Sequence, residues 1–469
     1  MTVGPFTTFP VDPVGPSYEH RSTSQSIQDS MNLIPEIEST GQSVKTANPW
    51  PGAKSWTTAT GVDRGFGELA GVLYQVRNTT LYKIDSNMTE TVIGNIEGAN
   101  RCIFASDGTN LIITTGTKGY QYNGTTLTEI TDSDYESGNS CAFLNSRIIF
   151  DGDGGRFQVA DVGDPDSIQP NNFATAESAP DDTIRVYVFN QSLYLFGTKT
   201  VERWYNTNSG NPPFDRYQNG RMNVGLKAIH AVTESDQYVY WFGDDNMFYR
   251  ISANQPTVIS NKTISRLASK ISDTSDCIAY SVVFEGSYYI IFTFPSGNKT
   301  LVFSEAVNDW FYISTGADED RYIGNSAISI YDKTLIADKD SGNIYELDAE
   351  TYDHGGTVAV YRRRLPPITS IVFGSDGQRI LMDRFQVNMK TGVGTPTVVD
   401  PEIFIQYSLD GGDSLTNQTG VKIGRGGQTV KVEDYYSASA YQIVPVITGY
   451  NAVFYSINSA AIDLKLDGW

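Results

Sequence analysis

Seven times between Gly71 and Leu347 the chain repeats one unit: a short apolar strand, a polar turn, and a second short apolar or aromatic strand. The pairs are residues 72–76 with 81–84, 111–114 with 119–122, 147–150 with 157–160 and 193–196 with 201–204. Residues 238–242 with 247–250, 288–291 with 300–303 and 334–337 with 344–347 complete the series. Successive units begin roughly 40 residues apart, the length of one propeller blade. The repeat therefore predicts an all-β chain built on a β-propeller of about seven blades. Such a disc serves a scaffold, a binding platform or an enzyme equally well, so the repeat alone leaves the function open.

The flanking segments read differently. Residues 1–64 are rich in Pro, Ser, Thr and Gly and lack periodicity, which predicts an extended N-terminal arm that cannot bury a core alone. The propeller is expected over 65–350 and a linker over 351–379. Residues 380–469 carry longer alternating strands separated by turns such as Asp410-Gly411-Gly412, the pattern of a small antiparallel β-sandwich. Within the propeller, 161–183 and 206–223 are expected as long loops. Residues 257–275 hold the one fair helix, with Ser260 or Asn261 as cap and Ile264, Leu267, Ala268 and Ile271 on one face.

Composition narrows the class. No apolar run approaches the about 18 residues that cross a bilayer, and the first twenty residues lack the basic and apolar stretches of a secretory signal. Cys102, Cys141 and Cys277 are an odd, sparse set, expected as reduced thiols of a protein made in a cytosol. Cys102 and Cys141, nearly one repeat apart, should fill equivalent core positions. The formal charge is −20, without the basic stripe usual in a chain that grips nucleic acid; it reads as an ordinary solvated acidic surface or as one past which DNA slides without sticking, and charge alone does not choose between them. The one dense basic cluster is Arg362, Arg363 and Arg364, a candidate inter-subunit or inter-domain contact, or an intramolecular partner for nearby acids.

Chemistry-bearing motifs are absent. His20, His230 and His354 are the only histidines, and none has a second His or Cys at ligand spacing, so no metal is expected. No nucleophile elbow, phosphate loop or dinucleotide fingerprint stands in its required context. Gly152–Gly155 reads as a hairpin turn. Residues 408–415 resemble the Asp-box turn of sialidase propellers, where the Asp steadies a hairpin and is not catalytic. Arg185, Arg203, Arg216, Arg221 and Arg250 are scattered, without the clustering a sialidase site needs. No catalytic site and no cofactor are expected; a glycan-binding or sialidase-like propeller is the alternative reading.

One run of motifs is far more specific. It comprises Phe173-Ala-Thr-Ala-Glu177-Ser-Ala-Pro180-Asp181-Asp182, then Leu193-Tyr-Leu-Phe-Gly197-Thr-Lys-Thr-Val-Glu202-Arg-Trp204-Tyr-Asn206, then Pro213-Phe214-Asp-Arg216. Tyr240-Trp-Phe-Gly243-Asp244, Tyr288–Pro295 and Asn308-Asp-Trp310 follow in order. Arg64-Gly65, Asn32-Leu-Ile-Pro-Glu36 and Met389–Gly394 extend the match to most of the chain. The pattern resembles the packaged-DNA stabilisation proteins of short-tailed bacteriophages, also called tail hub or nozzle proteins. Phe242 stands where that family often has Leu, and its Trp-Arg-Arg-Leu-Gly step is missing, which leaves the role of 430–459 open.

The resemblance implies a virion structural protein of the phage tail, made in the host cytoplasm. It implies a ring, a homohexamer in this family, below the portal and its adaptor. That ring retains packaged double-stranded DNA, serves as the conduit for genome ejection, and carries tail fibres or spikes and a needle or plug. It also implies that Glu177, Pro180, Asp181, Gly197, Glu202, Trp204, Phe214, Arg216, Gly243 and Trp310 are framework residues. Gly197 and Gly243 are expected in turns that need positive φ, and Trp204 and Trp310 as blade anchors.

Overall fold

The computed structural model describes residues 5–15, 17–19, 27–37, 45–136, 138–176, 181–252 and 255–467. Seven four-stranded antiparallel units form the blades. Their innermost strands are Asp63–Leu69, Ile103–Ser106, Cys141–Leu144, Thr183–Phe189, Val232–Glu234, Ile278–Phe284 and Gly324–Ile330. These strands follow one another around a ring, the fourth and fifth meeting through side chains such as Tyr187 and Glu234, and the seventh returns to the first. The blades are thus radial, as the repeat requires.

Each pair in the sequence repeat forms the second and third strands of one blade. Those strands lie between two neighbouring blades and are buried on both faces, which makes them read as continuous apolar runs. Leu111–Thr114 and Val239–Phe242 are buried throughout. The first hairpin of five blades turns in two residues, both at positive φ: Ala70-Gly71, Asn145-Ser146, Asn190-Gln191, Glu285-Gly286 and Tyr331-Asp332. That is the hairpin geometry whose twist matches the flanking strands.

The structure departs from the sequence division in several places. The seventh blade takes its outer strand from before the propeller: Gly52–Thr57 pairs antiparallel with Ile344–Asp348. The segments expected as loops are outer strands, Asp164–Thr175 and Phe214–Met222; their polar surfaces hide them from a periodicity reading. The helix spans Lys262–Lys270, and Asn261 Oδ1 accepts from the Thr263 and Ile264 amides at 3.0 Å each.

The arm buries its apolar side chains in a core shared with the sandwich. Val11, Val14, Leu33 and Ala47 join one cluster with Phe385, Ile405, Ile447 and Ile462. In the sandwich, one sheet runs Leu33–Ile37, Lys45–Pro49, Ile457–Leu466, Ile380–Met389 and Val432–Ala440, with Thr7–Val11 also on Ile457–Leu466. The other contains Tyr361–Arg364, Gln442–Gly449, Glu402–Ser408 and Thr419–Lys422. Residues 351–379 therefore are not a bare linker, since Tyr361–Arg364 and Ile368–Thr369 both pair with Gln442–Gly449. Residues 430–459 supply a strand to each sheet.

Ile27–Met31 bridges the two domains. It meets the outer strand of the sixth blade, Met31 opposite Tyr312, and pairs antiparallel with Tyr361–Arg364. Propeller and sandwich thereby share one eleven-stranded sheet.

Candidate functional site

The arm meets both domains at a junction built around Asn32. Its side chain is fully buried. Nδ2 donates to the Val360 carbonyl at 2.8 Å and the Ser314 carbonyl at 3.1 Å, and Oδ1 accepts from the Ser314 amide at 2.9 Å. The Asn32 amide donates to the Tyr312 carbonyl, and its own carbonyl accepts from the Trp50 amide. One residue thus ties the sixth blade to the segment that enters the sandwich. Its φ of 53° is a conformation that Asn tolerates better than most side chains. Trp50, wholly buried, packs against Tyr289 at 5.4 Å and Phe311 at 5.8 Å between ring centroids.

The three arginines lie beside this junction with unlike roles. Arg363 is buried and donates to the carbonyls of Pro13 (2.6 Å) and Asp29 (3.0 Å) and to Gln28 Oε1 (2.8 Å). Burial pulls its guanidinium down to about 10 against the opposing pull of Asp29, Asp12 and Asp309. Arg362 is paired with Asp29 and Glu319, on the arm and after the sixth blade. Arg364 lines a groove of about 170 Å³ that it shares with Gln28, Asp29, Lys299 and Glu319. Arg363 fastens the arm internally and is no solvated surface.

A second set gathers at the fourth blade. Asp181 caps the turn after Gly197: its carboxylate accepts from the amides of Thr198, Lys199 and Thr200 at 2.7–2.9 Å, and from both threonine hydroxyls. Burial would raise its pKa, but these bonds together hold it below the usual range. Gly197 and Gly243 are not at positive φ, contrary to expectation. Their need is for space: a Cβ on Gly197 would stand 2.4 Å from Asp181 Oδ2, and one on Gly243 would stand 2.7 Å from the Tyr249 ring.

Glu202 accepts from Trp204 Nε1 at 3.0 Å and pairs with Arg216 Nη1 at 3.4 Å. Trp204 and Phe214 both pack edge-on against Phe157 of the third blade. Trp310 is buried among Phe248, Phe292 and Phe303 and donates to the Ile259 carbonyl at 2.8 Å. Asp181, Gly197, Glu202, Trp204, Phe214, Arg216, Gly243 and Trp310 thus occupy turns and joints within and between blades. Glu177 and Pro180 lie outside the described residues.

The remaining candidates have local explanations. Cys102, Cys141 and Cys277 are buried free thiols at the start of the innermost strands of three blades. Burial pushes Cys102 and Cys141 up to about 12, so these thiols stay protonated and inert. Asp410 accepts from Ser408 Oγ and from the amides of Asp413 and Ser414, an internally bonded turn. Asp153–Gly155 is a 3₁₀ turn inside a hairpin. The scattered arginines stay apart: Arg216 is on Glu202, Arg250 lies over Tyr238 and Arg203 over Tyr217, while Arg185 faces the propeller axis. His20 lies outside the described residues. Among the described residues, no three His, Cys, Asp or Glu side chains gather where a metal could be held, and no helix is long and apolar enough to cross a membrane.

Sequence reasoning missed two things here. Asn32 was visible only as part of a motif, because hydrogen bonds to residues some 280 and 330 positions away leave no local signal. Arg64 was likewise only a motif letter; it is buried and donates to the carbonyls of Asn100, Asn78, Ile96 and Glu97.

Among solved structures, the chain is similar to the WD40 β-propeller domain of Doa1, with 13% identity, TM-score 0.41, and coverage of 63% of this chain and 97% of that one. It is also similar to BamB from Moraxella catarrhalis, with 10% identity, TM-score 0.38, and coverage of 74% and 99%. These likenesses are too distant to carry any argument. Among curated proteins no sequence matches. The family comparison is different in kind. Residues 18–352, which run from the arm through all seven blades and their closing strand, match the phage-stabilisation family described as Bacteriophage P22 Gp10, beta-propeller, and the chain belongs to that family.

Proposed function

We propose that this chain, a bacteriophage structural protein by family, is one subunit of a ring-shaped tail hub or nozzle of a short-tailed phage. The ring, a homohexamer, lies below the portal adaptor, retains packaged DNA and serves as the conduit when the genome is ejected. It also carries fibres or spikes and a needle or plug. The observation that carries this reading is the family match over residues 18–352. The build of the chain supports it. An arm threaded through both domains, and a sheet continuous between them, tie propeller to sandwich, a build suited to bear pressure from packaged DNA.

Size adds a second support. The cavity along the propeller axis holds about 350 Å³ and is lined by Arg, Tyr and Phe side chains. A duplex about 20 Å wide cannot enter it. In this reading DNA passes between copies of the chain, through a bore that several subunits enclose. With a formal charge of −20, such a bore can be lined by acidic and amide groups that do not hold phosphates. No catalytic role is proposed, in keeping with a family of phage structural proteins.

Native mass spectrometry and electron microscopy of the purified chain, alone and with its adaptor, test the proposal. A closed ring with an axial bore wider than a duplex is expected. A chain that stays monomeric under all conditions and binds ligands on a glycan array would instead favour the glycan-binding alternative.

A further inference from the structure

The innermost strands of six blades enclose the axial cavity. Its wall carries Arg101 just ahead of Ile103–Ser106, Arg185 within Thr183–Phe189, and His230 just ahead of Val232–Glu234. A strongly acidic chain thus gathers two guanidinium groups on its own axis.

The arginines elsewhere show what a structural arginine looks like in this fold. Arg64 reaches four carbonyls, and Arg363 reaches two carbonyls and a side-chain amide. Each guanidinium offers five N–H donors. Among the described residues, Arg185 uses one, from Nη1 to the Ile229 carbonyl at 3.2 Å. Arg101 makes no hydrogen bond there. Its nearest carboxylate, Asp63, is 3.9 Å away and already accepts from Gln75 Nε2 at 2.9 Å and Ser326 Oγ at 3.0 Å. Nε and Nη1 of Arg101 and Nε of Arg185 are buried without a partner. Both side chains keep part of their surface toward the cavity, 18% of it for Arg101, and partly buried charges with donors unused are costly unless something answers them.

We propose that the axial cavity is a binding site for one small oxyanion of the phosphate class, held between Arg101 and Arg185 with His230 as a third hydrogen-bonding group. Burial above all, and then the two arginines, hold His230 well below its usual range; an anion seated beside it pulls the other way, and either protonation state of the imidazole offers at least one N–H to the ligand. The volume suits this ligand class. A water needs about 30 Å³, so the cavity admits a phosphate with its waters, or an organic phosphate in their place. Tyr280 is committed to the Gly324 carbonyl at 3.0 Å and serves as wall. The site is independent of the tail-hub reading, because it lies within one subunit.

Calorimetric titration of the full chain with inorganic phosphate, against sodium chloride at matched ionic strength, tests this. Saturable binding of one phosphate per chain is expected, with a rise in melting temperature that chloride does not reproduce. Tighter binding of a nucleoside monophosphate would identify an organic phosphate as the natural ligand; equal or weaker binding would identify the free ion. Arg101→Gln and Arg185→Gln should each weaken binding about tenfold or more, the scale of one charge-assisted hydrogen bond. Arg425→Gln, at a side chain 67% exposed, should leave binding unchanged. Without phosphate, the Arg101→Gln/Arg185→Gln double variant should melt at or above the parent temperature, since it removes unanswered like charges. A phosphate response equal to that of chloride, or one that survives both substitutions, would overturn the proposal. So would failure of both single variants to fold, because that would make these arginines structural.

Discussion

Replacing Asn32 with Ala should loosen the whole junction between propeller and sandwich. The substitution leaves the Ser314 amide and the Val360 carbonyl without partners in a buried site. Each such orphan costs about 1–3 kcal/mol, so the pair costs about 2–6 kcal/mol. Holding Ala at φ 53° adds about 1 kcal/mol. Against a typical total of about 5–15 kcal/mol for a folded domain, that is enough to populate a state with the arm detached. Asn32→Gly leaves the same orphans but relieves the backbone term, so it should be milder than Ala by about 1 kcal/mol. Urea unfolding followed by tryptophan fluorescence gives the free energies. Hydrogen exchange read by mass spectrometry locates the loss, expected in peptides covering 27–37, 310–316 and 358–364. A loss below about 1 kcal/mol for Asn32→Ala, or exchange unchanged in all three peptides, would refute the assignment of Asn32 as the tie.

Three further outcomes follow from the same contacts. Arg363→Met should destabilise the chain by about 3–5 kcal/mol, as for one partner of a buried charged network; replacing all of 362–364 with Glu should therefore prevent folding rather than merely block assembly, which solubility and circular dichroism will show. His354 is fully buried, and burial lowers its pKa from 6.5 to about 4. The folded protein thus takes up this proton less readily than the unfolded chain: the stability is complete above about pH 6.5 and is lost progressively down to about pH 4. At pH 5 the loss is about 2 kcal/mol at 1.4 kcal/mol per unit, with His230 adding in the same direction; His354→Gln should flatten this slope in urea unfolding at pH 7 and pH 5, and an unchanged slope would count against it. Asp181→Ala should free the turn at Thr198–Thr200 and cost about 1–3 kcal/mol, while Gly197→Ala should cost a similar amount by overpacking; melting curves that match the parent for both would dismiss the capping role.

What the sequence disclosed follows from which surfaces are buried twice. The second and third strands of every blade lie between neighbours and are apolar on both faces, so all seven pairs stood out. The first strands face a polar cavity on one side, as in Thr183–Phe189 with Arg185 and Tyr187, and the fourth strands face solvent, as in Asp164–Thr175. Neither pattern has a strong period. Turn chemistry was equally muted. Tyr331-Asp332 and Asn190-Gln191 hold two successive residues at positive φ without the Asn-Gly or Asp-Gly pair that announces such a hairpin. There, packing of the flanking strands overrides local preference.

The candidate sites were hidden for a different reason. Hydrogen bonds from Asn32 and Arg363 span some 280 to 350 residues of chain, and no window of sequence contains both ends. What did survive in sequence was the motif series, and the structure gives a physical account of it. Asp181 with Gly197, Glu202 with Trp204 and Arg216, and Trp310 with Phe248 each hold a turn or a joint where one strand or blade meets the next. Asn32 does the same where arm, blade and sandwich meet. A signature drawn from joints must be spread along the whole chain, whereas a signature drawn from a catalytic pocket would gather around a few reacting atoms. The closing strand adds a constraint. Gly52–Thr57 pairs with Ile344–Asp348, so the seventh blade is complete only with both the arm and the last blade in place. The same arm then fixes Ile27–Met31 beside Arg363. Ring closure and domain docking thus draw on the same arm, and a substitution that prevents Gly52–Thr57 from pairing is expected to weaken the hold on the sandwich too, although the two contacts lie on different sheets; faster hydrogen exchange in 27–31 and 361–364 of such a variant would bear this out, and unchanged exchange there would refute it.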